Sequence, residues 1–256
     1  MRKLLTGLTV AAALAFASST QAADGLVDFT WNACTPIVQD VTTTVAGPIS
    51  LYISVLGIDV PLQAYETTFI YGSATGDYPD AWAFDPTGCQ GSSFVTIDHL
   101  APAAVSKSCP TMQGASASVQ VKDVGKVPLS DQGTGYLGTN MRVSLFNAFP
   151  NNVGGVPTGV TPLIGTRYFL ERVLFDHTFS VPGATTAGLT CGGYGTPMCF
   201  KIIRANYLDL SGLEFKFGRN VDGNGVEFVT FNGGTACSAV PAKAATWGAI
   251  KSQYRN

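Results

Sequence analysis

Two dipeptides, Asp98-His99 and Asp176-His177, hold the chain's only histidines. A histidine oriented by an acid is the general base of many hydrolytic sites, with serine as the nucleophile. Each dipeptide ends or follows a segment of strand-like composition. Adjacent side chains on a strand point to opposite faces, so neither aspartate is placed to orient its own neighbour. The Gly-x-Ser-x-Gly turn that presents a nucleophilic serine is also absent. Both histidines therefore read as surface or loop-edge residues. Gly133-Thr134-Gly135-Tyr136-Leu137-Gly138 matches the dinucleotide-binding fingerprint letter for letter. That fingerprint must open a helix whose N-terminus meets the pyrophosphate. Here it leads into the strand-like Met141 to Phe146, which rejects nucleotide binding.

Two further groups carry oxygen ligands. Asn220, Asp222 and Asn224, followed by Gly225, resemble the first half of a calcium loop, but Phe231 stands where the bidentate glutamate belongs. The same residues suit a hairpin turn between Leu213 to Phe217 and Val226 to Phe231. Asp77, Asp80 and Asp85 surround Tyr78, Trp82 and Phe84. Such a loop binds a cation through its acids or stacks a sugar on its rings; the plainer alternatives are solvated acids and rings packed beneath the loop. Calcium is the one cofactor either group would take, and no other is implied.

The elements that must position these residues begin after a leader. Arg2 and Lys3 precede an apolar run from Leu4 to Phe16, and small residues follow to Ala23. This is the pattern of a secretory signal peptide, its apolar run shorter than the roughly 20 residues a membrane span needs. Residues 1–23 are read as the signal peptide and 24–256 as a single disulfide-bonded domain that is secreted to the periplasm, cell surface or exterior. No later apolar run is long enough for a transmembrane helix. Charged residues are only 12% of the chain against 46% hydrophobic, with 29 glycines and 14 prolines, the composition of many short strands joined by turns.

Charge is segregated along the chain. No Lys or Arg occurs from Leu4 to Ser106, while nine acids lie between Asp24 and Asp98; from Lys107 onward 13 basic residues face 8 acids. The net negative mature chain lacks the basic stripe that nucleic acid requires. Either the two halves face each other in a layered fold and their fields cancel, or opposite patches promote head-to-tail self-association or hold divalent cations.

Strand patterns cover Ile49 to Val55, Tyr65 to Tyr71, Ser93 to Ile97, Ala117 to Val121, Met141 to Phe146, Tyr168 to Phe175 and Phe200 to Tyr207, besides the two segments named above. The one persuasive helix is C-terminal: Thr246 caps it, and Trp247, Ile250 and Tyr254 share a face. Strands without intervening helices predict an all-β, antiparallel two-sheet sandwich, cohesin-like or jelly-roll-like, with that short helix appended. Cys34, Cys89, Cys109, Cys191, Cys199 and Cys237 form an even set in an exported chain, which predicts disulfides. Fifteen pairings are open. Cys191 with Cys199 across a Gly-rich connection is the first expectation, then Cys89 with Cys109, leaving Cys34 with Cys237.

Gly47-Pro48-Ile49-Ser50-Leu51-Tyr52-Ile53-Ser54-Val55, followed by Leu62 to Tyr71, resembles the opening strand pair of cohesin-like sandwiches, as do Val173-Leu174-Phe175-Asp176 and Val181-Pro182-Gly183-Ala184. The whole mature chain resembles a group of uncharacterised exported bacterial proteins with cohesin-like or carbohydrate-binding-like sandwiches. The residues that carry this are Trp31-Asn32-Ala33-Cys34, Tyr78-Pro79-Asp80-Ala81-Trp82, the Cys191 to Cys199 segment and Thr246 to Arg255. The resemblance implies a fold and an exported location. Cohesins proper are shorter and lack these cysteines, so dockerin binding is not implied.

These readings lead to a secreted, non-catalytic binding or structural protein, whose partner is an extracellular protein or a glycan. The alternative is a secreted hydrolase acting on polysaccharide or another extracellular polymer, with paired acids or a histidine in its site.

Overall fold

Strict alternation of apolar and polar residues at Val27, Phe29 and Trp31, and again at Ile49, Leu51, Ile53 and Val55, builds the first layer, because alternate side chains of a strand share a face. The computed structural model describes residues 25–43, 45–58, 61–73, 78–98, 109–112, 119–127, 140–148, 162–163, 165–180, 191–212, 214–216 and 228–233. Its strands are β1 (Leu26–Trp31), β2 (Asp40–Val41), β3 (Ile49–Leu56), β4 (Leu62–Ser73), β5 (Val95–Asp98), β6 (Val119–Val127), β7 (Asn140–Ala148), β8 (Arg167–Phe175), β9 (Met198–Asp209), β10 (Glu214–Lys216) and β11 (Phe228–Phe231). One sheet has the order β1-β3-β8-β5; the other runs β2-β11-β9-β4-β7-β6, with β10 also on β9. All pairings between these strands are antiparallel except β2 with β11, which is parallel. The protein is an all-β, two-sheet sandwich. The expected C-terminal helix lies outside the described residues.

The hairpin expected between β10 and β11 does not form. Both strands pair antiparallel with β9, β10 against Asn206 to Leu208 and β11 against Met198 to Lys201, so they run in the same direction along one neighbour.

Between the sheets lies a core rich in aromatic rings. Phe29, Trp31, Tyr65, Phe69, Tyr71, Trp82, Phe84, Phe175, Phe200 and Phe231 are all buried. Trp31 is fixed by its indole N–H, which donates to the Thr230 carbonyl at 2.7 Å. The outer face of the four-stranded sheet is also covered near one end, where Tyr52 and Phe169 pack with Cys34 and Cys109. On β8 the register shifts between Ile53, which faces Glu171, and Ser54, which faces Phe169. Leu170 is left as the extra residue of a β-bulge.

The disulfides differ from the expected pairing. Cys34 bonds Cys109 and Cys89 bonds Cys191, while Cys199 is bonded to a partner outside the described residues. Proximity along the chain is a poor guide here, because strand pairing decides which segments meet. Backbone bonds from Met112 to Phe169 and from Phe169 to Pro110 hold the segment 109–112 against β8, within reach of the chain just after β1. The loop carrying Cys89 is held against residues 191–194 instead, by the Ala81 N–H donating to the Gly192 carbonyl at 2.9 Å.

The same topology accounts for the segregated charge. Asp28 pairs with Arg167, Asp98 with Arg172 at 3.0 Å, Asp85 with Lys126 at 3.7 Å and Glu66 with Arg204 at 3.1 Å. Every one of these joins an acid of the first half to a base of the second. In both sheets strands of the acidic half lie beside strands of the basic half, β8 between β3 and β5 and β4 between β9 and β7, so these acids and bases meet.

Candidate ligand-binding surface

The aromatic loop is part of the core. Asp80–Trp82 forms a single 3-10 turn that drives Trp82 inward to zero exposure. Its ring stacks on Tyr194 with a centroid distance of 6.2 Å and meets Phe231 edge-on at 4.9 Å and Phe200 at 5.3 Å. Its N–H donates to the Tyr194 carbonyl at 3.3 Å. Phe84 is equally buried. Gly193 permits the close packing above this turn: its φ of +84° is the left-handed region, and a Cβ there would stand 2.4 Å from the Pro79 side chain. Of the five residues expected to bind ligand, Tyr78 is half-buried and carries the Lys126 ammonium 5.9 Å from its ring centre, and Asp80 is exposed. Asp85 is buried, one oxygen accepting from the Thr87 N–H and hydroxyl at 3.0 and 2.6 Å. Trp82 shows no face to solvent, and Asp77 lies outside the described residues. So do Asn220, Asp222 and Asn224. Among the described residues no group of three His, Cys, Asp or Glu side chains is placed to hold a metal ion.

His177 is fully buried, contrary to its reading as a surface or loop-edge residue. Trp82, Tyr194 and Phe84 enclose it at 4.4, 4.8 and 5.1 Å between ring centres, and among the described residues no group meets hydrogen-bond geometry with either ring nitrogen. Asp176 turns away, its carboxylate accepting from the Thr178 N–H and hydroxyl. An enclosed imidazole with no route to substrate is a packing group. Burial pushes its pKa down to about 4, against the opposing influence of the Ala81 backbone and Asp176. His99 lies outside the described residues.

Burial acts on Glu171 in the opposite sense, raising its pKa to about 8. Because folded Glu171 keeps its proton while the unfolded chain releases it, stability falls as pH rises from 4.5 towards about 8. Because folded His177 stays neutral while the unfolded chain's histidine takes up a proton, stability falls as pH drops from 6.5 towards about 4. Between 4.5 and 6.5 the two slopes oppose and cancel; above 6.5 Glu171 acts alone. Urea unfolding followed across this range is expected to show stability about 2 kcal/mol lower at pH 8 than on the plateau. Glu171→Gln should remove the alkaline decline, and a decline that persists in that variant would contradict the assignment.

A surface of different character lies on the outer face of the seven-stranded sheet. Cross-strand pairing aligns Phe146 of β7, Glu66 of β4 and Asn206 of β9 in one row, with Ala148, Ala64 and Leu208 in the next; Glu214 of β10 lies beside Leu208. Ala64 is too short to fill its place in the second row. Around it is a groove of about 180 Å³ lined by Phe146, Glu66, Asn206, Leu208 and Glu214. Phe146 is 40% exposed. Arg204 at the rim reaches Glu66 at 3.1 Å and Glu214 at 3.9 Å, and the Asn206 amide donates to Glu214 at 2.7 Å. The groove therefore offers an apolar ring beside fixed oxygen acceptors, the means to hold a molecule that is apolar on one face and hydroxylated at its edge.

None of these groove residues stands out as a motif in the sequence. One signal was present: in Met141 to Phe146 the odd positions are apolar, so Phe146 is an aromatic residue at the parity that faces outward.

Fold and surface together define a disulfide-bonded, two-sheet β-sandwich with an open groove on one outer face. No family model and no curated protein matches the chain. Solved structures to which it is similar include cohesin modules. The sixth cohesin of Acetivibrio cellulolyticus scaffoldin B, solved with a Cel5 dockerin mutant, has a TM-score of 0.36 at 12% identity, over 80% of this chain and 98% of the cohesin. A type II cohesin domain from the cellulosome of the same organism gives 0.36 at 8% identity, over 81% and 95%. The cohesin module of a Clostridium perfringens family 33 glycoside hydrolase gives 0.33 at 10% identity, over 82% and 98%. The sandwich assignment itself rests on the strand order of this chain.

Proposed function

We propose that the protein is an exported, non-catalytic binding protein that holds a glycan in the groove around Phe146. The observation that carries this reading is an exposed phenyl ring set directly across from Glu66, with Asn206 and Glu214 beside it, on a sheet face that the core does not need. The ring would stack on the C–H face of a sugar, and the two carboxylates and the amide would take its hydroxyls. At about 180 Å³ the groove is smaller than a site for a whole drug-sized molecule, so one ring of a longer chain is its natural occupant. Export is supported by the disulfides, which persist in oxidising compartments.

The test is retention on insoluble cellulose, chitin and peptidoglycan. Wild-type protein is expected to be retained by at least one of them, and Phe146→Ala to bind it about tenfold more weakly with unchanged thermal stability, since the ring contributes little to the core. Failure of the wild type on all three, or equal retention of the variant, would refute the assignment. One observation favours the alternative of a hydrolase: Glu66 and Glu214 converge on a concave surface, as a glycosidase's two carboxylates do. Arg204 engages both of them, which suits holding a ligand better than moving a proton. Release of reducing ends from a bound polysaccharide, abolished by Glu66→Gln, would favour the alternative instead.

A further inference from the structure

Directly behind the groove, the core contains a concentration of buried oxygen atoms. Thr67 and Glu171 are completely buried and Asn147 is 1% exposed. Among the described residues, both carboxyl oxygens of Glu171, the Thr67 hydroxyl and the Asn147 side-chain carbonyl lack a hydrogen-bond partner. Topology brings these groups together. The β8 bulge frees the Leu170 carbonyl from its ladder, and the Tyr65 hydroxyl crosses from the facing sheet to donate to it at 2.9 Å. The Asn147 amide donates in turn to the Tyr65 oxygen at 2.8 Å. Asn147 is the cross-strand partner of Tyr65, Thr67 lies two residues further along the same face of β4, and Glu171 follows Leu170.

Buried oxygen atoms are nearly always satisfied, and leaving four of them bare would consume a large share of a domain's net stability. Apolar packing cannot satisfy them. We propose that Glu171, Asn147, Thr67 and Tyr65 form an internal hydration site that binds ordered water between the two sheets. A water molecule makes two to four hydrogen bonds and supplies the donors that the Asn147 carbonyl and the Thr67 hydroxyl oxygen need. Protonated Glu171 supplies one donor and accepts in return.

Substitution separates a hydrated site from a dry one. Replacing a bare buried acid in a dry core by leucine should stabilise the protein; in a hydrated site it strands the remaining oxygens and their water. Glu171→Leu is therefore expected to lower Tm by about 4 °C near pH 6, and Glu171→Gln to change it little. A rise in Tm for the leucine variant would overturn the proposal. If that variant does not fold, a high-resolution crystal structure of the wild type decides: ordered density within hydrogen-bond distance of Glu171 and Asn147 is expected, and an empty space there would overturn it. Sodium or calcium at fixed ionic strength should leave Tm unchanged, and a cation-dependent rise would assign the site to an ion instead. None of these readouts depends on the groove having a ligand.

Discussion

Trp82→Ala is expected to destabilise the protein by about 4 kcal/mol, in the range of buried aromatic truncations. Its indole touches Tyr71, Phe175, Phe200, Phe231, Tyr194 and His177 and leaves no face to solvent. Removing it opens a large cavity, deletes the bond to the Tyr194 carbonyl and undoes the packing that encloses His177. Equilibrium urea unfolding measures the loss directly. With the cage opened, the His177 imidazole should also titrate closer to the ordinary histidine range, which an NMR titration of the ring protons would follow. Near-native stability combined with lost polysaccharide retention would instead make Trp82 a ligand platform.

Replacing Cys89 and Cys191 together by alanine is expected to cost a similar amount. Their bond closes a loop across 102 residues of sequence separation, and the chain-entropy account puts a loop of that size at about 4.7 kcal/mol. The bond also ties the turn carrying Trp82 to residues 191–194, where the Ala81 backbone N–H and the Trp82 indole N–H find their acceptors. Loss should therefore exceed the entropic term if the turn loosens as well. Comparison of the double variant with oxidised wild type by urea unfolding tests this. A variant as stable as the wild type would mean that strand pairing alone holds the turn in place.

Local pattern was sufficient for most of the strands. Ile49 to Val55 announces itself by alternation and β-branched residues, Tyr168 to Phe175 by its aromatic and aliphatic content, and both lie in the four-stranded sheet. β1 has the same alternation at Val27, Phe29 and Trp31 but stands only a few residues beyond the apolar run Leu4 to Phe16, where composition draws attention away from strand pattern. What resisted reading was everything set by long-range pairing. Cys191 lies eight positions from Cys199, yet it bonds Cys89, because the loop before β5 folds onto the segment before β9. The glycines and asparagines after Lys216 have hairpin chemistry, yet β10 and β11 both dock on β9. His177 reads as polar punctuation at a strand end and is held in an aromatic cage that no local pattern encodes. The groove depends on a small residue, Ala64, lying between strands distant in sequence, so only Phe146 at its outward parity hinted at it.

The most direct test of a ligand face on the outer sheet is a chemical-shift titration of the labelled protein with soluble oligosaccharides from whichever polymer retains it. Shifts should concentrate on Phe146, Glu66, Asn206 and Leu208 and leave Tyr78 and Asp80 unmoved. Shifts confined to the loop around Tyr78 and Asp80, with the Phe146 row silent, would contradict the account.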